Sequence, residues 1–477
     1  MTGTTSTPET ERPDESAVQT LYDRMRGPVL HASDEGYDDA RSLWNGMFEK
    51  HPSIVARCTG AADVMAAVDF AREHDLLLAV KGGGHSLAGK SVCDDGLLID
   101  LSPMDGVRVD PDSQTARVGP GATWGDFDHE AQAFGLATTG GVDSRTGVAG
   151  LTLGGGIGYL ARSYGLATDN LLSVDLVTAE GELVHASENV HPELFWGIRG
   201  GSGNFGIVTS FEFELHEVGP EILTAQVFHP IDDVRSVLEF YREFMADAPN
   251  EVTCYATITR VPTESAFPEV YHNEPAVALV GAYSGDIDDG RPLLAPLARF
   301  GDPNLAAVEP MAYTALQQSD DDGFPDGERY YQKAHFLRTI TDAVIDVIVE
   351  HTETLPGQYS GALFEPMGGV INEVDATATA YPHRNAAFSF GITGGWSDPD
   401  RDEEIIGWVR EFFDDLASHA TGGVYTNYLA HDEDDRVDSA YRENHERLVE
   451  LKNEWDPENL FRLNSNVEPT SGGGQRG

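Results

Sequence analysis

Three glycine-dense segments within the first 210 residues constrain this chain more than any other feature. They are Lys81-Gly82-Gly83-Gly84-His85-Ser86-Leu87-Ala88-Gly89, the stretch from Gly147 to Gly158, and the stretch from Arg199 to Gly206. Each run of glycines removes Cβ atoms, so backbone N–H groups can close on an anion or on a second backbone. The first run follows Leu76 to Val80, which reads as a buried strand, and it ends on an imidazole. That combination suits a pyrophosphate cradle with a nucleophile at its rim; a tight turn carrying a surface histidine is the other reading. The second run sets Gly147, Gly150, Gly154, Gly156 and Gly158 among apolar residues. It indicates backbone pressed against a flat or phosphorylated ligand, or else close helix packing. The third contains GxGxxG from Gly201 to Gly206, but Ile207 to Leu215 alternates with period two and is therefore a strand. A nicotinamide-binding Rossmann site needs a helix there and is disfavoured.

Around these loops the first half reads as α+β. Ile54 begins a strand, Ala61 to His74 has helical spacing, and short strands are expected at Leu97 to Leu101, Thr115 to Val118, Val174 to Thr178 and Ile207 to Leu215. A helix is expected near Trp124 to Phe134. After Gly219 longer amphipathic helices (Val234 to Met245, Phe336 to His351, Glu403 to Leu416) alternate with strands (Val252 to Thr259, Ala276 to Ala282, Ala386 to Ile392). A chain of 477 residues exceeds what one core serves, about 250 to 300 residues, so two substantial domains are expected. The last segment carries a helix from Tyr441 to Asn453 and then an asparagine-rich stretch expected to return to the first domain. Residues 1–15 and 470–477 read as disordered tails.

Charge narrows the function classes. There are 80 acidic against 31 basic side chains, a formal charge of −49, and only five lysines. Such self-repulsion needs screening, and the Debye length at 1 M salt is about 3 Å. The acidity is read as adaptation to a salty cytoplasm, and nucleic acid and anionic membranes are poor partners for this field. Cys58, Cys93 and Cys254 form neither a CxxC pair nor a disulfide framework. No signal peptide and no long apolar run is apparent, so a cytoplasmic protein is expected. HExxH, the calcium-loop spacing and a Walker lysine are missing, and no metal is expected. The acidic runs Asp320-Asp321-Asp322-Gly323 and His431 to Asp435 read as solvated loops.

In combination these motifs resemble the vanillyl-alcohol-oxidase-type (PCMH-type) FAD superfamily, and within it the berberine-bridge-enzyme-like oxidoreductases. The resemblance runs from about Pro52 to Pro469. It rests on Gly82 to Ser86, Gly141 to Gly158, Tyr164-Gly165-Leu166 with Asp169-Asn170, and Arg199 to Gly206. Its C-terminal part is Tyr425-Thr426-Asn427-Tyr428, Tyr441 with Asn444, Leu448, Lys452, and Trp455 to Phe461. It implies a two-subdomain FAD-binding domain at 16–218, an α+β substrate domain with an antiparallel sheet at 219–424, and a C-terminal segment at 425–469 that returns to the FAD domain. It also implies FAD bound covalently through His85 to the flavin 8α-methyl. The family's second, cysteinyl bond is not expected, because Asp143 occupies that position. The implied cofactor set is Lys81, Gly82, Gly83, Gly84, His85, Ser86, Leu87, Gly141, Thr146, Gly147, Gly150, Gly154, Gly156, Gly158, Asp169, Asn170, Gly206, Ile207, Val208, Asn427 and Asn464.

The activity so implied is hydride transfer from an alcohol-type carbon, of a sugar or another alcohol, to flavin N5. Oxygen or another acceptor takes the electrons on, and residues around Thr146 to Gly150 are expected to govern access to the flavin. Tyr428 is the first candidate base and Tyr425 the second. A phenol titrates near about 10, so it needs a favourable neighbour to act. Glu365 and His383 could supply polar contacts or the base instead. Amine oxidation, as in cytokinin dehydrogenases, whose first glycine turn is similar, is the alternative enzyme reading. A non-catalytic flavin-binding protein, or a soluble binding module, is the alternative of another class. The substrate and the oligomeric state are not fixed by the sequence.

Overall fold

A computed structural model describes residues 13–263, 268–353 and 355–470. The tail expectations at 1–12 and 471–477 lie outside the described residues. Helix Glu15–Arg24, capped by the Asp14 carboxylate accepting from the Ala17 N–H, corrects the first tail boundary. Thr470 likewise bonds Asn453 through both its N–H and its hydroxyl.

The first glycine loop hangs from a four-stranded sheet. Strands Ile54–Arg57 and Leu78–Lys81 both run parallel to Leu97–Asp100, which lies between them, and helix Ala61–Glu73 makes the crossover. The apolar spacing of that helix buries Val64, Ala67, Val68 and Ala71 against the sheet. The other two glycine clusters border a second, antiparallel sheet in the order 107–110, 115–118, 207–214, 171–177, 183–187. Its period-two strand Ile207–Glu214 buries Phe211 and Phe213.

A third sheet of seven antiparallel strands dominates residues 221–396, in the order 305–312, 221–230, 275–283, 252–260, 361–366, 388–396, 329–337. Alternation divides its two faces. Val252, Cys254, Ala256, Ala362, Phe364, Phe390 and Ile392 pack under helices Val234–Asp247, Ile287–Arg299, Asp342–Thr352 and Asp402–Leu416. Burial of each large apolar side chain there contributes about 1.5–3 kcal/mol. The opposite face carries Thr257, Thr259, Leu363, Glu365 and Thr393 toward the glycine loops.

Two sequence expectations are corrected. Phe336 and Leu337 do not begin a helix; they end strand Arg329–Leu337, and the helix starts at Asp342, where the Thr341 hydroxyl accepts from Val344 N–H. The helix expected from Tyr441 is two helices, Val437–Tyr441 and His445–Trp455, broken where Arg442 has φ +46°.

Candidate active site

The three glycine loops and the polar face of the large sheet enclose one cavity of about 890 Å³. The loops meet backbone to backbone. A Cβ on Gly83 would lie 2.5 Å from Gly147 Cα, and one on Gly147 would lie 2.7 Å from Gly83 N. Gly150 and Gly203 face open space along the same wall. Of the candidate cofactor residues, Gly82, Gly83, Gly84, His85, Ser86, Leu87, Gly141, Thr146, Gly147, Gly150, Gly206, Ile207, Val208, Asn427 and Asn464 line this cavity.

The remaining six lie behind its wall. Lys81 Nζ donates to the carbonyls of Ala40 at 2.6 Å and Ser42 at 3.1 Å, fixing the segment that leads to Trp44. Asp169 takes a bidentate pair from Arg384, both contacts 2.6 Å. Asn170 bonds the His216 ring at 2.6 Å and the Leu166 carbonyl at 2.8 Å. Gly154 makes room for Asn427, Gly156 for Ala167, and Gly158 for the Gly140 carbonyl, which is the close-packing role the second cluster also allowed.

His85 stands at one end of the cavity, held by contacts that no sequence motif announced. Its ring stacks on Trp44 at 4.4 Å, and Trp44 stacks on Tyr330 at 4.1 Å. Thr146 Oγ1 lies 3.3 Å from Nδ1, while Nε2 is buried without a hydrogen-bond partner. Asp143, clamped by Arg145, lies 3.9 Å from Nε2, too far for a hydrogen bond. Burial holds the imidazole below its ordinary pKa, with Asp143 opposing. Burial thus favours the neutral form of the ring, and its Nε2 is left without a partner.

At the sheet end, Tyr428 donates to Glu365 Oε1 at 2.8 Å. Glu365 is 2% exposed and its Oε2 has no hydrogen-bond partner. Burial pushes its carboxyl up to about 7, the Ser389 and Tyr428 hydroxyls offsetting part of the rise. Burial, with Glu365 adding to it, drives the Tyr428 phenol well above its usual range. Within this pair the carboxyl is the group that ionises first as pH rises, so it is the one available to accept a proton near neutrality. The Tyr425 hydroxyl is occupied, accepting from Gly156 N–H and from Asn427 Nδ2, each at 2.8 Å. His383 lies outside the cavity. Its Nε2 bonds the Ala440 carbonyl at 2.8 Å, its ring stacks on Phe336, and burial pushes its pKa down to about 3.

Both acidic runs are mostly exposed, as expected of solvated loops, but each also carries a clip. Asp321 accepts from the Ser144 N–H at 3.0 Å and its hydroxyl at 2.6 Å, tying that run to the loop beside His85. In the second run Asp432 pairs with Arg410, Glu433 with Lys333 and Arg436, and Asp434 with Lys90. Arg436 is local, but Arg410, Lys333 and Lys90 come from three distant parts of the chain, which is why the local sequence did not reveal those pairs. Farther along, Lys452 Nζ bonds Asp456 and the carbonyls of Asn204 and Phe461, and Asn464 donates to the Gly203 carbonyl. The C-terminal residues thus close the cavity against the third glycine cluster.

Over 458 aligned residues the chain is 32% identical to an FAD-linked oxidoreductase of Dictyostelium discoideum, a match covering 95% of this chain and 97% of that one. The chain belongs to the berberine-bridge-like FAD-linked oxidoreductases. The FAD binding domain family matches residues 52–187, and the berberine and berberine-like family matches 424–468. Among solved structures of these oxidoreductases, 6-hydroxy-D-nicotine oxidase from Arthrobacter nicotinovorans superposes with TM-score 0.85 at 26% identity, over 94% of this chain and 98% of that one. The xylooligosaccharide oxidase of Thermothelomyces thermophilus is 27% identical over 97% of this chain and 96% of its own. The cavity of this oxidoreductase fits FAD: its glycine walls lack side chains, and unpartnered His85 Nε2 and Asn464 Oδ1 sit along it. Among the described residues no cluster of His, Cys, Asp and Glu could hold a metal ion, and no helix is long and apolar enough to cross a membrane.

Proposed function

We propose that this enzyme removes a hydride from a hydroxyl-bearing carbon of a small substrate, with FAD tethered to His85 alone. When bound, FAD supplies the two-electron acceptor for that hydride and passes the electrons to oxygen or another acceptor. The buried Tyr428–Glu365 pair carries this reading. A carboxyl poised near neutrality is suited to take a proton at physiological pH, and Glu365 would take the hydroxyl proton through Tyr428. Tyr425, already bonded to Gly156 and Asn427, would orient the strap that bears Tyr428. Trp44 and Thr146 would hold the His85 imidazole in place for the tether, and Asp143 offers no thiol for a second bond.

The polar, uncharged positions along the sheet face, Thr257, Thr259, Gln332 and Thr393, suit a hydroxylated substrate. Relatives named as sugar and nicotine oxidases support small-molecule oxidation with oxygen as acceptor. A salty cytoplasm remains the proposed setting, supported by the lysine pattern. All five ammonium groups bond backbone carbonyls or carboxylates, and none of the five side chains is exposed.

The test is anaerobic bleaching of the purified flavoprotein by a panel of alcohols, saccharides and amines, repeated with Glu365→Gln and Tyr428→Phe. Loss of general-base assistance slows bleaching by about 10²–10⁴-fold. Unchanged bleaching in Glu365→Gln would refute the assignment.

A further inference from the structure

The groups that hold the His85 ring are themselves held by the large sheet. The stack His85–Trp44–Tyr330 ends on strand Arg329–Leu337, so the ring's orientation is set across two distant parts of the chain. The segment that runs into that strand, residues 321–328, grips both supports of His85. On the Trp44 side, Gly327 N–H donates to the Trp44 carbonyl at 2.9 Å and Gly46 N–H to the Glu328 carbonyl at 2.7 Å. Buried Asn45 zips the same edge, accepting from the Tyr330 N–H and donating to its carbonyl. On the Thr146 side, Asp321 accepts from the N–H and hydroxyl of Ser144.

The two sides meet on one atom. The Phe324 carbonyl accepts from Trp44 Nε1 and from Arg145 Nη2, both at 2.9 Å. Trp44 lies against the face of the imidazole, while Arg145 directly precedes Thr146, whose hydroxyl faces Nδ1. The same guanidinium holds Asp143 at 2.7 Å and reaches Asp326 at 3.6 Å. One side chain thus joins the loop beside His85 to residues 324 and 326. Arg145 is absent from the cavity lining, so it acts on anything bound there only through its neighbours.

We propose that residues 321–328 are a brace that orients His85 for its bond to the flavin, with Arg145 as the positioning residue that carries the hold of the brace to the imidazole. The proposal rests on the reading of His85 as the sole tether, and it adds an order of events: attachment waits until the large sheet has docked on the glycine loops, because the grip does not exist before then. In the attachment step the His85 ring loses its N–H hydrogen, one C–H of the 8α-methyl is broken, and an N–C bond forms. The two protons and two electrons released pass to oxygen, the acceptor already named, as peroxide. Such a step depends on alignment, and misplacement by about 1 Å costs about 100-fold in rate. The glycine walls that receive FAD are separate from the brace, so binding and attachment come apart when the brace is loosened.

The experiment uses full-length chain made flavin-free under riboflavin limitation and then incubated with FAD in air. Flavin that survives acid precipitation measures attachment over time, and flavin that stays with the protein through gel filtration measures binding. Arg145→Met removes the charge and keeps the bulk, Trp44→Phe keeps a ring for stacking and loses the donor, and Asp321→Ala releases the brace from its own side. Loss of a hydrogen bond to a charged group corresponds to about a 10- to 100-fold change, so Arg145→Met should attach flavin slower by about that factor while binding it at the wild-type level. Trp44→Phe and Asp321→Ala should slow attachment in the same selective way. Attachment at the wild-type rate in Arg145→Met overturns the proposal. So does attachment that falls only in step with binding across all three variants, which would make the brace a structural clip and nothing more. Failure of the underlying reading would look different: acid would release all flavin from the wild type itself.

Discussion

Replacing Glu365 by Gln should make the protein more stable at pH 8, although it removes the proposed base. The buried carboxyl titrates near 7 in the folded chain, against its ordinary 4.5. A raised acid contributes stability that is present below the unfolded value and is lost as pH climbs through the folded one. Over this span of about 2.5 pH units, at 1.36 kcal/mol per unit, the wild type forfeits about 3 kcal/mol. The Gln amide has nearly the same shape, offers its oxygen to the Tyr428 hydroxyl and does not ionise. Urea unfolding at pH 5, 6.5 and 8 in constant high salt measures the difference. The variant should lead by about 3 kcal/mol at pH 8, with the margin shrinking on acidification and vanishing near pH 4.5. A margin that is the same at every pH, or a wild type that is more stable at pH 8, would refute the claim that burial of an ionisable carboxyl sets the chemistry here.

Other consequences are open to direct measurement. His85→Ala should release all flavin from an acid-precipitated pellet, whereas the wild-type pellet stays yellow. Lys452→Met strands the Asp456 carboxylate, both side chains being 0% exposed, and should cost about 3–5 kcal/mol in denaturant unfolding. Gly83→Ala forces a methyl against the Gly147 backbone, so purified protein should carry markedly less flavin per chain, read from its absorption ratio. Transfer from about 1 M to 0.1 M salt lengthens the screening distance from about 3 Å to about 10 Å, and the melting temperature should fall.

The parts of the fold that the sequence disclosed are those governed by local rules. Consecutive glycines at 82–84 marked a backbone cradle, and alternation at 207–214 separated a strand from a Rossmann helix. Four strands of the large sheet escaped notice, three of them for local reasons too. Gly361–Pro366 is short and bounded by its own glycine and proline, and Leu305–Ala312 carries Pro310, which an edge strand tolerates. In Arg329–Leu337 the apolar end merged with the following helical pattern. Whatever depended on partners far along the chain stayed hidden. Trp44 meets His85 and Tyr330 only after folding, and Glu433 meets Lys333 across 100 positions. Glu365 was visible as one acidic residue among 80. Its chemistry came from a strand register that turns it inward, opposite Ser389, to meet Tyr428.

The confinement of every lysine amine to an internal bond also turns the molecule into its own unfolding gauge. An amine-reactive ester finds no fully exposed lysine on the native surface, so acylation of the buried ones must wait for local opening. The order in which they are modified then reports which joint yields first. Lys50 and Lys90, partly accessible beside the first glycine loop, should be consumed early. Lys452, sealed beneath the third, should be consumed last.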